Sequence, residues 1–345
     1  MVIFADGTSI GAISGGCLES DVVDRSGGVL DDGMPKMLRY DATADEDDAV
    51  FGLGMGCNGV TTIFLERLQG ADDPLCAFVR QCFDRSERGI VATVYEIETS
   101  HGQSALIDGY RFFLYHNEEA SDNFGEHLFA NRLREYVWDA SAALLGSAQA
   151  KPQNITFEDE HGTAYILFER IEPLREVVIM GAGYDALPLV EFASVLGWRV
   201  NVCDHRPALL TEERLPKATK RIRTTRETTS ETARNLAFQP HTAVVIMTHN
   251  LALDAAVLKE ALRSEAGYIG LLGPKPRLAK ILALLEEEGV VPTKDEMLRL
   301  HSPIGLDIGS ETAEEVALSI IAEIQAAMNR RSGGFLQKRR RKKIH

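Results

Sequence analysis

The chain has 345 residues, of which 45% are apolar and 26% are charged, and this length and mixture predict two or three folded domains and exclude both a single small module and wholesale disorder. Acidic residues outnumber basic ones by 51 to 37, although residues 330–345 hold eight Lys and Arg and no acid. The rest of the chain is therefore strongly acidic, and we do not expect it to bind nucleic acid.

No apolar run approaches the roughly 18 residues that a membrane helix needs, and the first residues lack the basic start of a secretion signal. We therefore expect a cytoplasmic protein with no membrane partner. The five cysteines are scattered, without a C-x-x-C pair or a His and Cys cluster at zinc spacing. This pattern argues against a disulfide framework.

The first 68 residues are rich in glycine and predict short strands joined by turns. In chain order, the pattern predicts a hairpin at 2–13, a glycine loop at 14–17, a helix from Leu18, a strand at 37–41, a second glycine loop at 52–59 and a strand at 60–65. Further along it predicts a helix at 73–85, a strand at 90–96 and a hairpin at 155–171. Residues 109–147 are patterned less clearly, and no element is predicted for them.

From Arg175 onward, apolar strands alternate with helices, which is typical of a parallel α/β sheet. The predicted strands lie at 177–180, 199–204, 243–247 and 268–272, and the predicted helices at 187–196, 251–263, 276–288 and 311–328. Thr312 and Glu315 have the spacing of a capping box at the start of the last helix.

The predicted fold class is α/β: a small N-terminal α+β domain followed by a Rossmann-like, doubly wound, mainly parallel sheet. We assign residues 1–150 to the first domain, 151–174 to a hairpin and linker, and 175–329 to the second domain. We expect residues 330–345 to form a solvated basic tail, although such a tail can also contact an acidic partner or RNA.

The strongest local pattern is Gly181-x-Gly183-x-x-Ala186, directly after an apolar strand and before a helix. In a dinucleotide-binding turn, the first glycine permits the tight bend, the second lets an anion approach the backbone, and the small third residue lets helix and strand pack closely. Asp204 ends the next strand, where an acid can accept a hydrogen bond from a ribose hydroxyl. The alternative is a Rossmann-like domain that binds no dinucleotide.

Two more loops follow strands of the same sheet and should lie at the same edge, where ligands bind in open α/β sheets. His249 follows the strand at 243–247 and could contact an anionic ligand, act as an acid or base, or only cap the next helix. Lys275 could pair with a phosphate or be an ordinary surface lysine. The turn-rich segment 301–309 could close over this edge.

Cys17 and Cys57 each lie in a glycine loop, and Cys17 also lies near a predicted helix N-terminus. This setting lowers the pKa of a thiol and favours thiolate ligation or sulfur transfer. Each could equally be a small buried residue that serves packing.

Taken together in this order, several segments resemble the XdhC/CoxI family, the accessory proteins of molybdenum hydroxylases such as xanthine dehydrogenase. The resemblance covers residues 1–328, and its motifs are Gly15-Gly16-Cys17-Leu18-Glu19, Gly52-Leu53-Gly54-Met55-Gly56-Cys57, Met247-Thr248-His249-Asn250, Gly270-Leu271-Leu272-Gly273 and His301-Ser302-Pro303-Ile304-Gly305-Leu306. It implies a small N-terminal domain joined to a Rossmann-type domain.

The resemblance also implies a function: to bind molybdenum cofactor, assist its sulfuration and insert it into a xanthine dehydrogenase-type apoenzyme. We expect the cofactor to lie between the two domains, with Gly181, Gly183, Ala186, Asp204, His249 and Lys275 as binding residues. Cys17 and Cys57 would contact molybdenum or handle sulfur. The implied partners are the molybdenum hydroxylase apoenzyme, a cysteine desulfurase and a second copy of the chain.

Two other functions fit the same residues. The first is an NAD(P)-dependent oxidoreductase that uses the Rossmann-like domain, with His249 as proton donor. The second is a degenerate relative that acts only as a protein adaptor. A cofactor chaperone predicts no turnover, whereas the oxidoreductase predicts substrate-dependent oxidation of NAD(P)H.

Overall fold

The computed structural model describes residues 1–14, 16, 18–41, 60–100, 104–117, 119–124, 128–147 and 151–338, without the side chains of residues 99, 104–109, 128 and 338. The chain divides into two compact units, Met1–Pro173 and Leu174–His345. Within the described ranges, no helix combines the length and apolarity that a membrane crossing requires.

Unit 1 combines three described helices with antiparallel strands. Its elements are β1 (Val2–Ile3), β2 (Ser9–Ile10), α1 (Glu19–Asp32), β3 (Lys36–Asp41), β4 (Val60–Leu65), α2 (Pro74–Arg85), β5 (Gly89–Thr99), β6 (Ser104–Tyr115), β7 (Ala120–Asp122), α3 (Leu128–Gly146), β8 (Gln153–Asp159) and β9 (Gly162–Ile171). β1 pairs with β2 and β3 with β4, while the main antiparallel sheet has the order β7-β6-β5-β9-β8.

The main sheet of unit 1 is covered on both faces because alternate residues of its strands point to opposite sides. Phe112 and Phe168 pack with Leu133 of α3 on one face. Phe113 packs with Phe78 of α2 on the other. The hairpin predicted at 155–171 exists as β8 and β9, but β9 pairs with β5 from Gly162 to Ile171. It is therefore part of this sheet and of unit 1, and is not a segment connecting two domains.

Unit 2 alternates strands and helices. Its elements are β10 (Glu176–Met180), α4 (Ala186–Val195), β11 (Arg199–Asp204), β12 (Lys220–Arg223), α5 (Thr229–Asn235), β13 (Thr242–Ile246), α6 (Leu251–Arg263), β14 (Tyr268–Leu271), α7 (Lys275–Glu287), α8 (Lys294–Leu298), β15 (Leu300–His301) and α9 (Ala313–Met328). The capping box predicted for the last helix is present, since Thr312 accepts from the N–H of Glu315 and the Glu315 side chain accepts from the N–H of Thr312.

The sheet of unit 2 has the order β12-β11-β10-β13-β14-β15, and every neighbouring pair is parallel. One face packs on α4 and α9 and the other on α5, α6 and α7. Strand order reverses at β10, because the chain first adds β11 and β12 on one side and then β13 to β15 on the other. The predicted doubly wound, mainly parallel sheet is thereby confirmed, and its switch point lies at the carboxyl end of β10.

Candidate functional site

The carboxyl ends of β10, β11 and β13 meet at the switch point of the unit 2 sheet. A small recess of about 10 Å³ opens there, roughly the room of one water molecule. The residues lining it are Met180, Gly181, Cys203, Asp204, His205, Thr224, Thr229, Thr248 and Leu253. This is the edge at which open α/β sheets bind ligands, and it holds the sequence-predicted Gly181 and Asp204.

Gly181 is required by the fold itself. It has a φ of +124°, and a Cβ placed on it would lie 2.3 Å from the carbonyl oxygen of Met247. Its N–H donates to the carbonyl of Cys203 at 2.8 Å. The turn after β10 is therefore wedged between the backbones of β11 and of the loop after β13, and any side chain at position 181 would separate them.

Gly183 is in a different situation, since it faces open space. A Cβ on it would meet only the ring of His249, at 3.8 Å, which is ordinary contact. Within the part of the chain that the structure describes, the N–H groups of Gly183, Tyr184 and Asp185 donate no hydrogen bond. These three amides precede α4, whose buried first residue Ala186 packs in the core. Free amides at a helix start attract anions.

Asp204 holds this turn in place. One carboxylate oxygen accepts from the N–H of Ala182 at 2.6 Å and from Nη2 of Arg206 at 2.8 Å. The other accepts from the N–H and Nε of Arg206 at 2.8 and 3.0 Å. Because two carboxylate oxygens offer about four acceptor positions, and the side chain is only 1% exposed, no position is left for a ribose hydroxyl. Its carboxylate anchors the glycine turn and Arg206, and the predicted acceptance from a ribose hydroxyl, which would need one of these contacts to be given up, stays a prediction.

His249 stands across the turn from Gly183. Its φ of +59° is unusual for a residue other than glycine, and its neighbours account for it. The N–H of Asn250 donates to the Thr248 hydroxyl, and the Asn250 side chain caps α6 by accepting from the N–H groups of Ala252 and Leu253. The helix cap is thus Asn250, while the half-exposed His249 lies with Nε2 3.6 Å from the Asp185 carboxylate.

Asp254, which no sequence pattern marks, ties the loop after β13 to the first turn of α7. It is fully buried and accepts from the Thr248 hydroxyl at 2.5 Å and from Nε of Arg277 at 3.0 Å. Arg277 in turn fills the space over Gly273. No local pattern marks this pair, because its members are 23 residues apart. Lys275, the first residue of α7, is exposed.

Segment 301–309, predicted to close over the edge, contacts α9 through His301 and Gly305. Nδ1 of His301 lies 3.2 Å from the Glu323 carboxylate, and its ring stacks on fully buried Tyr268. The Tyr268 hydroxyl and the N–H of Gly305 donate to the same carboxylate. Although burial acts to raise the pKa of Glu323, the hydrogen bonds from His301, Tyr268 and Gly305 hold that pKa below its ordinary range. This cluster therefore fixes β15 on the helix.

Cys17 and Cys57 lie outside the described residues. On both sides of Cys17, however, backbone groups converge on Glu19, which accepts from the N–H groups of Ser14 at 2.6 Å and Leu18 at 3.2 Å. The backbone and hydroxyl hydrogen bonds from Ser14 lower the pKa of Glu19 to about 2. In unit 2, burial raises the pKa of the Cys203 thiol to about 12, so this recess-lining cysteine stays protonated and is a poor nucleophile.

Comparison with known proteins gives matches along most of the chain. A family profile described as "XdhC Rossmann domain" matches residues 177–324, and one described as "XdhC and CoxI family" matches residues 1–41. The chain is 31% identical over 324 residues to a probable xanthine dehydrogenase subunit of Bacillus subtilis (strain 168), and the match covers 94% of this chain and 86% of that protein.

Two further matches also extend over both units. The chain is 21% identical over 327 residues to the molybdenum cofactor insertion chaperone PaoD of Escherichia coli (strain K12), with 94% of this chain and 76% of that protein covered. A crystal structure of a xanthine dehydrogenase from Bacillus halodurans superposes with a TM-score of 0.71 at 26% identity, over 95% of this chain and 85% of that one.

Proposed function

Because the chain belongs to the XdhC and CoxI family, we propose that it is an accessory protein that binds molybdenum cofactor and inserts it into a molybdenum hydroxylase apoenzyme. The observation that carries this proposal is the row of free amides at Gly183, Tyr184 and Asp185. The likeness to a protein named as a molybdenum cofactor insertion chaperone supports it. In this role the cofactor is cargo, and the protein performs no turnover.

The chemistry of the cargo fits the glycine turn. Molybdenum cofactor is a pterin that carries a phosphate and holds its metal through a dithiolene. A phosphate accepts well from backbone N–H groups at the start of a helix, where the helix dipole also favours negative charge. Asp204 and the close packing at Gly181 hold the turn in one conformation, so little ordering is needed when the phosphate binds.

The proposal extends to sulfuration through the two loop cysteines. A thiolate is both a soft ligand that suits molybdenum and a group that can carry sulfur. We assign this role to Cys17 and Cys57, with a cysteine desulfurase as sulfur donor and a homodimer as the assembly. Among the described residues next to Cys17, Ser14 and Leu18 both donate their N–H groups to Glu19.

Gly183→Val should lower cofactor retention with little effect on folding, because a branched side chain would stand over the free amides without meeting another backbone. We expect protein purified from a molybdenum-sufficient host to retain about tenfold less fluorescent pterin and metal, a loss equivalent to ~1.4 kcal/mol. Gly146→Val is the matched control, since Gly146 ends α3 in open space. Equal retention in Gly183→Val and the parent protein, or no pterin in either, would contradict the proposal.

Cys17→Ala and Cys57→Ala should each lower the retained molybdenum and the amount of sulfurated cofactor, because each removes a proposed thiolate contact. The measurements are metal content and the activity of an apo-hydroxylase after cofactor transfer. Cys76→Ala, at a half-buried position in α2, is the matched control. Unchanged metal content and transfer activity in the double variant would remove both cysteines from the site.

An NAD(P)-dependent oxidoreductase is the second candidate, favoured by the strand order and the glycine turn. In that role His249 would donate the proton. Saturable NAD(P)H binding with substrate-dependent oxidation, in protein that retains no pterin, would favour this candidate over the accessory role.

A further inference from the structure

The corner of the unit 2 sheet formed by β11 and β12 is basic, although the chain as a whole is acidic. Near the carboxyl ends of these strands the sequence holds Arg206, Arg223 and Arg226 against Asp204 and Glu227. Arg223 pairs in register with Asp204 at the carboxyl ends of these strands, and both Arg223 and Arg226 are exposed. Together with Arg206 they form what we call the β12 corner. It lies at the carboxyl edge, beside the recess at the switch point.

Arg206 is presented at this corner in a fixed orientation. Its Nε and Nη2 donate to the two oxygens of buried Asp204. A guanidinium has five N–H donors, so three remain, and they make no hydrogen bond within the described chain. The side chain is 44% exposed. A guanidinium with free donors and a locked plane is well suited to a phosphate, which it can bind through two parallel hydrogen bonds.

The hydrogen bonds of Asp204 also bear on which ligand group can bind at the end of β11. An unphosphorylated ribose is normally bound through its hydroxyls by a free carboxylate at the end of the second strand, whereas a nearby arginine accommodates a ribose phosphate. Asp204 has that position, but its acceptor sites are filled from within the protein. The ligand group placed next to the end of β11 should therefore be an anion.

We propose that the β12 corner is a second anion subsite, centred on Arg206, that binds a phosphomonoester and selects phosphorylated over unphosphorylated ligands. Arg206 follows directly on Asp204 and His205, which line the recess at the switch point together with Gly181. The buried hydroxyls of Thr224 and Thr229 line it as well. This inference rests on the proposed function in one respect only, namely that the glycine turn binds an anion.

Two ligands present this chemistry: a nucleotide with a ribose 2′-phosphate and the phosphate-bearing pterin of the cargo. The nucleotide is tested by calorimetric titration with adenosine 2′,5′-bisphosphate and, for comparison, with 5′-AMP, which lacks the 2′-phosphate. We expect the bisphosphate to bind at least tenfold more tightly than AMP, and Arg206→Ala to remove that difference. The phosphate-bearing pterin is tested by comparing the amount of pterin that the purified parent protein and Arg206→Ala retain.

Arg206→Ala leaves Asp204 buried without its partner and can weaken the fold, so a second variant is needed. Arg223→Ala removes a charge from the β12 corner and keeps every hydrogen bond to Asp204, and we expect it to weaken bisphosphate binding about threefold. Lys220→Ala is the matched control, because Lys220 is exposed at the opposite end of the same strand. It should leave the affinity unchanged.

The outcomes separate this inference from the proposed function. If the bisphosphate is preferred but no pterin is retained, the subsite stands and the accessory role fails. If the bisphosphate does not bind but pterin retention falls at least threefold in Arg206→Ala and Arg223→Ala, the subsite stands with the pterin phosphate as its ligand. The inference is overturned if neither probe distinguishes the Arg206 and Arg223 variants from the parent protein, whether or not pterin is retained.

Discussion

Gly181→Ala is expected to destabilise unit 2 by about 2–5 kcal/mol, the combined cost of backbone strain and overpacking. The added methyl group would lie 2.3 Å from the Met247 carbonyl oxygen and 2.7 Å from its carbon. Neither atom can move away alone, because Met247 follows directly on buried β13 and its N–H donates to the carbonyl of Met180. The residue φ of +124° adds strain for any side chain.

Denaturant unfolding followed by circular dichroism measures this loss as a lower midpoint. Gly183→Ala is the matched control, two residues away in the same turn, where the added methyl group would meet nothing closer than 3.8 Å. We expect the control to change the free energy of unfolding by less than about 1 kcal/mol. Similar losses in the two variants would mean that the turn is not wedged at Gly181.

Asp204→Asn is expected to lower the free energy of unfolding by about 2–4 kcal/mol. It breaks the buried ion pair with Arg206, and the N–H donors of Ala182 and Arg206 then face an amide that offers fewer acceptor positions. An asparagine keeps one carbonyl oxygen, while its NH₂ group would face the N–H of Ala182 or the Arg206 guanidinium. Asp31→Asn, at an exposed position near the end of α1, is the control. Unfolding midpoints that shift equally in the two variants would contradict the buried role of Asp204.

The contribution of Asp204 should also depend on pH. Burial acts to raise its pKa, but hydrogen bonds from Arg206 and from the N–H of Ala182 outweigh burial and hold the pKa below the ordinary 3.8. A carboxylate with a lowered folded-state pKa stabilises the protein above its unfolded pKa and loses that effect as the pH falls through the folded one. The parent protein should therefore lose more stability below about pH 4 than Asp204→Asn does, and parallel curves would refute this.

The fold of unit 2 could be predicted because its strands and helices carry local patterns of their own. The glycine turn follows β10, the strand at which the strand order reverses. The site could be predicted only in part. Gly181 was predicted as the tight bend, but its close approach to the Met247 carbonyl joins two loops far apart in the sequence, which spacing does not encode. Asp204 was found at the right strand end, whereas its saturation by Arg206 and Ala182 depends on side-chain geometry that spacing does not encode.

Long-range pairings account for most of what the sequence did not indicate. The link between Asp254 and Arg277 joins two helices that each look ordinary, so neither residue stands out from its neighbours. In unit 1, the hairpin of β8 and β9 was recognised from its alternation, but alternation does not name the partner strand, and the pairing of β9 with β5 spans the intervening α3. Local periodicity identifies helices and strands, whereas tertiary packing determines which strand or side chain each of them contacts.

The link through Asp254 also bears on the thermodynamics of ligand capture. Thr248 belongs to one rim loop and Arg277 to the helix that follows the next, and a single buried carboxylate joins them. A guest that touches His249 therefore meets a rim whose two loops cannot reorganise separately. Such preorganisation would spare any ligand at this rim the entropic penalty of loop ordering.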